Sequence, residues 1–372
     1  MNRWRWRGSV ALLAVSLAFF IFPLLPSDDV INSDWPAFDT GARIITSDPG
    51  HLYDLAVQQR VELEVTGGRV LVTLGIHGIL PFLAPAWVAV LAVPFDLLGP
   101  DLGGRTWILF GLICLLAGVY LAIRPGPPSE ILPAFAGVPT ALMMLNAQLD
   151  GVVALGIGAA IALYRRPFLA GLALGLTLMK PQLVLPLGIG LLLAREWKVI
   201  AGWGAAGVVL LASTAVMSPR WILDWLGQTR STVQAGAREV DLPHLAVLLP
   251  DRLQSVGLAV LTVLAVGAVI WLAWRVRADG MRPATAVLIA GGVLASPHAL
   301  PADLVLVALG LAVWGQARWF DWLALSAGAL LCALLPAPLP TFVGVAAIGW
   351  CVLRIAGLVI SRSPGPVPAS AR

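Results

Sequence analysis

Charge is scarce in this chain. Only 12% of its 372 residues are Asp, Glu, Lys or Arg, against 59% hydrophobic residues. That shortage excludes a water-soluble core, which would need a polar surface the sequence does not have. Cysteine is equally sparse. Cys114, Cys332 and Cys351 all fall inside apolar runs without disulfide or metal spacing, so they read as small hydrophobes and say nothing about compartment. The net charge of +4 comes mostly from Arg and Lys in short loops. It bears on orientation in a membrane and makes no case for nucleic acid.

Apolar length is what the chain has. Mean hydropathy is +0.89, and thirteen apolar runs, from 8–26 to 341–358, are long enough to cross or partly cross a bilayer. The basic head MNRWRWRG and the run after it have the look of a signal peptide. FPLLPS lacks the small residues of a cleavage site, so the run reads as a retained first span. Basic sites at Arg3/Arg5/Arg7, Arg165/Arg166, Arg195/Lys198, Arg275/Arg277/Arg282, Arg318 and Arg354/Arg362/Arg372 should share the cytoplasmic side. They do so only if one early run fails to cross. Residues 77–100, broken by Pro81, Pro85 and Pro94, are expected to be re-entrant. The expected fold is an all-α polytopic membrane protein of the inner (plasma) membrane, with about 12 transmembrane helices and both termini cytoplasmic. Residues 1–360 form one transmembrane domain, and 361–372 form a disordered cytoplasmic tail.

Orientation places residues 27–102 outside, where SDWPAFDTGARIITSDPGHLYD gathers acid. Ser33 is expected to cap a helix starting at Asp34, with Trp35, Phe38 and Ala42 as an apolar stripe lying on the membrane. Asp34 shares that face with Phe38, one turn on. Asp39 points about 140° away and reads as solvated. Asp48 reads as a turn residue, and Asp54 opens a second amphipathic helix along the outer interface. Three more outward groups stand near it: Asn146 and Gln148 in NAQLD, Lys180 and Gln182 at a helix break, and His298 and Asp303 in SPHALPAD. The runs flanking Lys180-Pro181 are each roughly 20 Å long at 1.5 Å per residue, short of the ~30 Å core, so their junction should lie in a protein-lined pocket. Lys180 either snorkels or binds an anion. His298 and Gln148 serve either as helix hydrogen-bond partners or in a site, and Asp303 reads as an N-cap after Pro301.

The order DWPAF…HLYD, a proline-rich outer run, NAQLDGVVALGIGAAIALYRRPFLAGLALGLTLMKPQLVLPLGIGLLLAREWK and ASPHALPADLVLV resembles the membrane enzymes of glycosyltransferase family 87, in the GT-C superfamily. The likeness runs from about residue 30 to 310 and is most specific in the central block. Family members typically carry Gly-Gln where this chain has Ala147-Gln148, and a tyrosine where it has Ala302.

The resemblance implies a GT-C-like fold and an inverting transfer of a hexose, mannose favoured, from a polyprenyl-phosphate-sugar donor. The acceptor is a glycolipid or glycan at the outer face. Asp34 matches the position of the base. Lys180 and His298 are candidates for the donor phosphate, and Gln148, Asn146, Tyr53 and Asp303 for substrate contacts. No cofactor and no essential metal are expected, since no Asp-x-Asp motif is present. The rival reading is a transporter or flippase for a lipid-linked or anionic sugar, and beyond it a non-catalytic assembly subunit.

Overall fold

A computed structural model describes residues 30–69, 71–73, 76–78, 80–124, 131–215, 217, 220–234, 245–336 and 338–359. The expected first span at 8–26 and the tail at 361–372 lie outside the described residues. Among the described residues the regular structure is helical apart from one short antiparallel hairpin, β1 (Leu71–Thr73) with β2 (Ile76–Gly78).

Among the described residues two helices are long and apolar enough to cross a membrane, α4 (Pro100–Ile123) and α12 (Asp251–Val276). Their outer faces carry exposed Leu109, Ile113, Leu116 and Tyr120 on α4, and Val256, Val260, Val263 and Leu264 on α12. A water-soluble surface would not keep such stripes. Shorter apolar helices complete the bundle. These are α5 (Ile131–Phe135), α6 (Val138–Leu145), α7 (Asp150–Ala162), α8 (Pro167–Leu174), α9 (Leu185–Leu193), α10 (Trp197–Ser213), α13 (Met281–Leu294), α14 (Leu304–Trp314), α15 (Trp319–Leu334) and α16 (Leu339–Ile355). Every residue of α14 from Leu304 to Val313 is buried. It is the central pillar, touching α4, α5, α6, α7, α13, α15 and α16.

Close helix crossings depend on glycine. Gly111 and Gly118 on α4 face Gly151 and Gly158 on α7, and each pair of glycines on one helix is seven residues apart and so on one face. A Cβ on Gly151 would collide with the Gly111 carbonyl, and one on Gly158 with that of Gly118. Without side chains the backbones approach and gain packing that lipid cannot supply. Gly171 on α8 and Gly202 on α10 repeat the arrangement. The first crossing matters most here, because it presses the start of α7 against α4.

The segment from 30 to 96 folds onto this bundle and corrects expectations made for it. Helix α1 (Trp35–Ser47) does not lay its stripe on lipid. Trp35, Phe38 and Ala42 are buried in protein, with Trp35 Nε1 donating to the Pro100 carbonyl at 2.8 Å and Phe38 packed on Trp107 at 5.2 Å. Asp39, expected in solvent, is fully buried beside Arg43 at 3.6 Å, and Arg43 in turn donates to Asp96 at 3.0 Å. Burial pushes the Asp39 carboxyl up to about 8.

Helix α2 (Leu55–Val65) starts at Asp54, which caps it as expected by accepting from Ala56 N–H at 2.8 Å. Its polar side faces inward, however. Gln58 and Glu62, one turn apart, are buried and accept the backbone N–H groups of Phe82 and Leu80 at 3.0 and 2.9 Å. An extended segment has no ladder of its own, so side chains take its donors. After it comes α3 (Ala86–Asp96), 11 residues long and so about 16 Å, well short of a bilayer core.

The glycine crossing predicts a contrast between two conservative changes. Gly158→Ala drives a Cβ into backbone and should lower thermal stability by about 1–3 kcal/mol. Gly204→Ala in α10 meets nothing within 4 Å and should gain up to about 1 kcal/mol from helix propensity. Thermal unfolding of the two variants in detergent checks this.

Candidate active site

Four elements bring their ends to one recess. Asp34 is the N-cap residue of α1, Asp150 is the first residue of α7, and Asp303 immediately precedes α14. A helix start concentrates positive potential, which favours carboxylates there. Lys180 comes from a break between two short 3₁₀ segments, Gly175–Met179 and Pro181–Val184. Pro181 lacks an N–H and keeps its predecessor out of helical geometry, and Lys180 accordingly has φ −137° and ψ 71°. The helix break read from the sequence is present, and Lys180 within it is half-buried.

Lys180 Nζ donates to Asp303 Oδ1 at 2.6 Å and to Asp150 Oδ2 at 3.0 Å, and both carboxylates are buried. Two of the three ammonium donors are thereby used. Asp303 stands at the N-cap position of α14 as expected, but its side chain makes no cap bond to that helix and reaches back instead. Its Oδ2 accepts from the Leu300 N–H at 2.7 Å, so one carboxylate fixes both the SPHALPAD turn and the lysine. In the same turn the Ser296 hydroxyl donates to the His298 carbonyl and accepts the His298 N–H, holding His298 in place. No donor reaches the buried Oδ1 of Asp150.

Asp34 is gripped twice. Its N–H donates to the Asn146 carbonyl at 3.3 Å, and its carboxylate accepts from the Gln148 side-chain amide. Asn146 thus serves through its backbone. The partly exposed carboxylate faces this recess; the expectation that it lies on the lipid-facing side is corrected, because its helix packs on protein. Burial pushes the Asp34 carboxyl up to about 6, while the charges of Lys180 and His298 and the Gln148 bond pull it down. Desolvation therefore outweighs the neighbouring cations and the amide bond.

Tyr53 stands elsewhere. Its hydroxyl donates to the Ala84 carbonyl at 2.9 Å and its ring stacks on Trp221. Asp150 was missed by sequence reasoning, which took it only as the end of NAQLD. The available signal was Lys180 itself, since an ammonium inside apolar helices requires a counter-ion. Among the described residues no group of His, Cys, Asp or Glu is arranged as metal ligands; Lys180 fills the space between Asp150 and Asp303.

A half-buried carboxylate held by an amide, next to a cation and a histidine, and carried by apolar helices, has the makings of a group-transfer site. The family comparison agrees. The model of glycosyltransferase family 87 matches residues 82–297, more than half of the chain. The chain belongs to glycosyltransferase family 87. The matched stretch includes Gln148, Asp150 and Lys180 and ends just before His298, while Asp34 precedes it. The chain matches no curated protein and no solved structure.

Ala147 has φ 50°, a left-handed conformation that costs an L-residue about 1–2 kcal/mol. Its carbonyl accepts the Trp107 indole N–H at 2.9 Å, so the turn cannot relax freely. Ala147→Gly should therefore raise stability by roughly 0.5–1 kcal/mol after the added freedom of the unfolded chain, read as an upward shift in unfolding temperature. Lys180→Gln strands two buried carboxylates and should cost about 3–5 kcal/mol. Adding Asp150→Asn and Asp303→Asn should return much of that loss, a non-additivity that thermal unfolding of the variant series will show.

Proposed function

We propose that the protein is an inverting hexosyltransferase that takes a sugar, mannose favoured, from a polyprenyl-phosphate donor. It passes the sugar to a glycolipid or glycan acceptor at the outer face of the plasma membrane. The observation that carries this reading is the convergence of Asp34, Gln148, Lys180 and His298, from four separate parts of the chain, on one recess. In the proposed reaction the acceptor hydroxyl oxygen forms a bond to the anomeric carbon as its proton passes to Asp34. The bond from that carbon to the phosphate oxygen breaks on the opposite side. The lipid phosphate leaves with the electron pair, and the configuration inverts.

The ionisation of Asp34 suits this role. A carboxylate raised to about 6 is a stronger base than an ordinary one and is still mostly ionised at neutral pH. Gln148 fixes one oxygen and leaves the other for the incoming proton. Lys180 has one donor remaining for a phosphate oxygen. Because its charge is already balanced by Asp150 and Asp303, it supplies direction more than net attraction, and His298 supplies a second donor.

The same reading orients the chain. Lys180, Asp34, His298 and Asp303 lie at the outer end, and the short α3 belongs to a segment that enters the outer face and returns. About 12 spans with both termini cytoplasmic then satisfy the distribution of Arg and Lys.

Transfer should vanish, by about 10²-fold or more, in Asp34→Asn, while donor binding persists. Purified protein in lipid with radiolabelled polyprenyl-phosphate-mannose and a crude lipid acceptor measures both, and full activity in this variant would sink the base assignment. Because burial raises the Asp34 carboxyl from 3.8 to about 6, it is protonated and inactive as a base below that pH. The rate should therefore rise with pH to half its plateau near pH 6.

A further inference from the structure

A second concavity opens on the outer segment, away from the Asp34 recess. It encloses about 570 Å³, within the range of small-molecule sites. One wall is the turn from Pro49 to Leu55, and the other is α11 (Trp221–Gln234). Tyr53 and Trp221 form its apolar floor, stacked at 6.3 Å with an interplanar angle of 17°. Trp87 packs edge-on against Trp221 at 5.6 Å, and the Tyr53 hydroxyl is tied to Ala84. The floor is therefore rigid before any ligand arrives. Exposed Asp54 and Asp224 stand at its edge, and Gln228 also lines it.

The lining chemistry selects a ligand class. Among the described residues no Lys or Arg lines the groove, and His51 is paired with Asp48 at 2.8 Å. An anion would meet carboxylates without a balancing cation. A lipid tail would leave Asp54 and Asp224 facing hydrocarbon. A neutral sugar fits both parts: its hydroxyls donate to the carboxylates, and its C–H face covers aromatic surface.

Position relates the groove to the reaction. Asp34 immediately precedes α1 and Pro49 follows its end, and the 13 residues of that helix span about 20 Å. A hydroxyl in the groove is too far from Asp34 to react. A remote part of the same acceptor is not, and such a contact lends affinity without entering the chemistry.

We propose that this groove binds the neutral glycan portion of the acceptor at a point remote from the reacting hydroxyl. The proposal rests on the transferase reading for the existence of an acceptor, but its test does not use transfer. Gly227 on α11 supplies the tool. It lines the groove, and a Cβ placed there meets nothing within 4 Å, so Gly227→Gln fills the groove without displacing its walls.

The full chain in lipid nanodiscs is titrated with α-mannotriose by ligand-observed NMR, with a sulfated disaccharide as the anionic comparator. Wild type should bind the neutral sugar saturably and more tightly than the sulfated one. Gly227→Gln should weaken that binding at least about tenfold, and Gly204→Gln, in open space on α10, should leave it unchanged. Should Gly227→Gln fail to fold, Asp224→Asn, an exposed change, should weaken binding in the same direction. No saturable binding by wild type, unchanged binding in the folded groove variants, or preference for the sulfated sugar overturns the proposal. Wild type that transfers sugar yet does not bind α-mannotriose removes the groove assignment alone. Wild type that binds it but never forms a glycosidic bond removes the transferase reading.

Discussion

An ammonium group surrounded by apolar helices must find charge of the opposite sign, and the rest of this molecule is arranged around that demand. Lys180 meets Asp150 and Asp303, each at the start of a helix. Because the partners come from positions 150 and 303, one lysine registers α7 against α14 and against the broken helix that carries it. Such buried clusters add little net stability over a hydrophobic equivalent, since desolvation offsets most of the attraction. Their persistence in a sequence this poor in charge points toward what they position. Here that is the recess holding Asp34.

Glycine completes what the charges begin. The crossing of α4 and α7 at Gly111/Gly151 and Gly118/Gly158 lets the two backbones meet, and the Trp107 indole then reaches the Ala147 carbonyl. The adjacent Gln148 is delivered to the Asp34 carboxylate as a result. Packing with no polar character thus places a polar contact. The left-handed turn at Ala147 is the strained element of this chain of contacts, and it sits one residue from the amide that holds the carboxylate.

Much of the site could be read from the sequence because its signals are local. Proline after Lys180 interrupts a helix whatever surrounds it, and Asp54 caps the helix it precedes. Positions were less legible where an answer depended on which surface covers a face. The spacing of Trp35, Phe38 and Ala42 shows an apolar stripe, yet periodicity is the same whether lipid or protein lies against it; here protein does. Gln58 and Glu62 look like solvent residues until the donors of Leu80 and Phe82 arrive from about twenty positions away. Asp39 is buried for the same non-local reason. Asp150 was obscured by its neighbours, since an acid at the end of a turn is ordinarily unremarked.

The double grip on Asp34 has a consequence for how the segment that carries it can vary. One contact comes through the main chain of Asn146 and the other through the side chain of Gln148, both from a single tight turn at the head of the bundle. The carboxylate therefore takes its coordinates from the helices beneath it and not from the loop that encodes it. Val30 and Ser33, just upstream, are buried as well, with the Ser33 hydroxyl donating to the Val30 carbonyl at 2.6 Å, so the approach to Asp34 is as constrained as the group itself and tolerates little change in length.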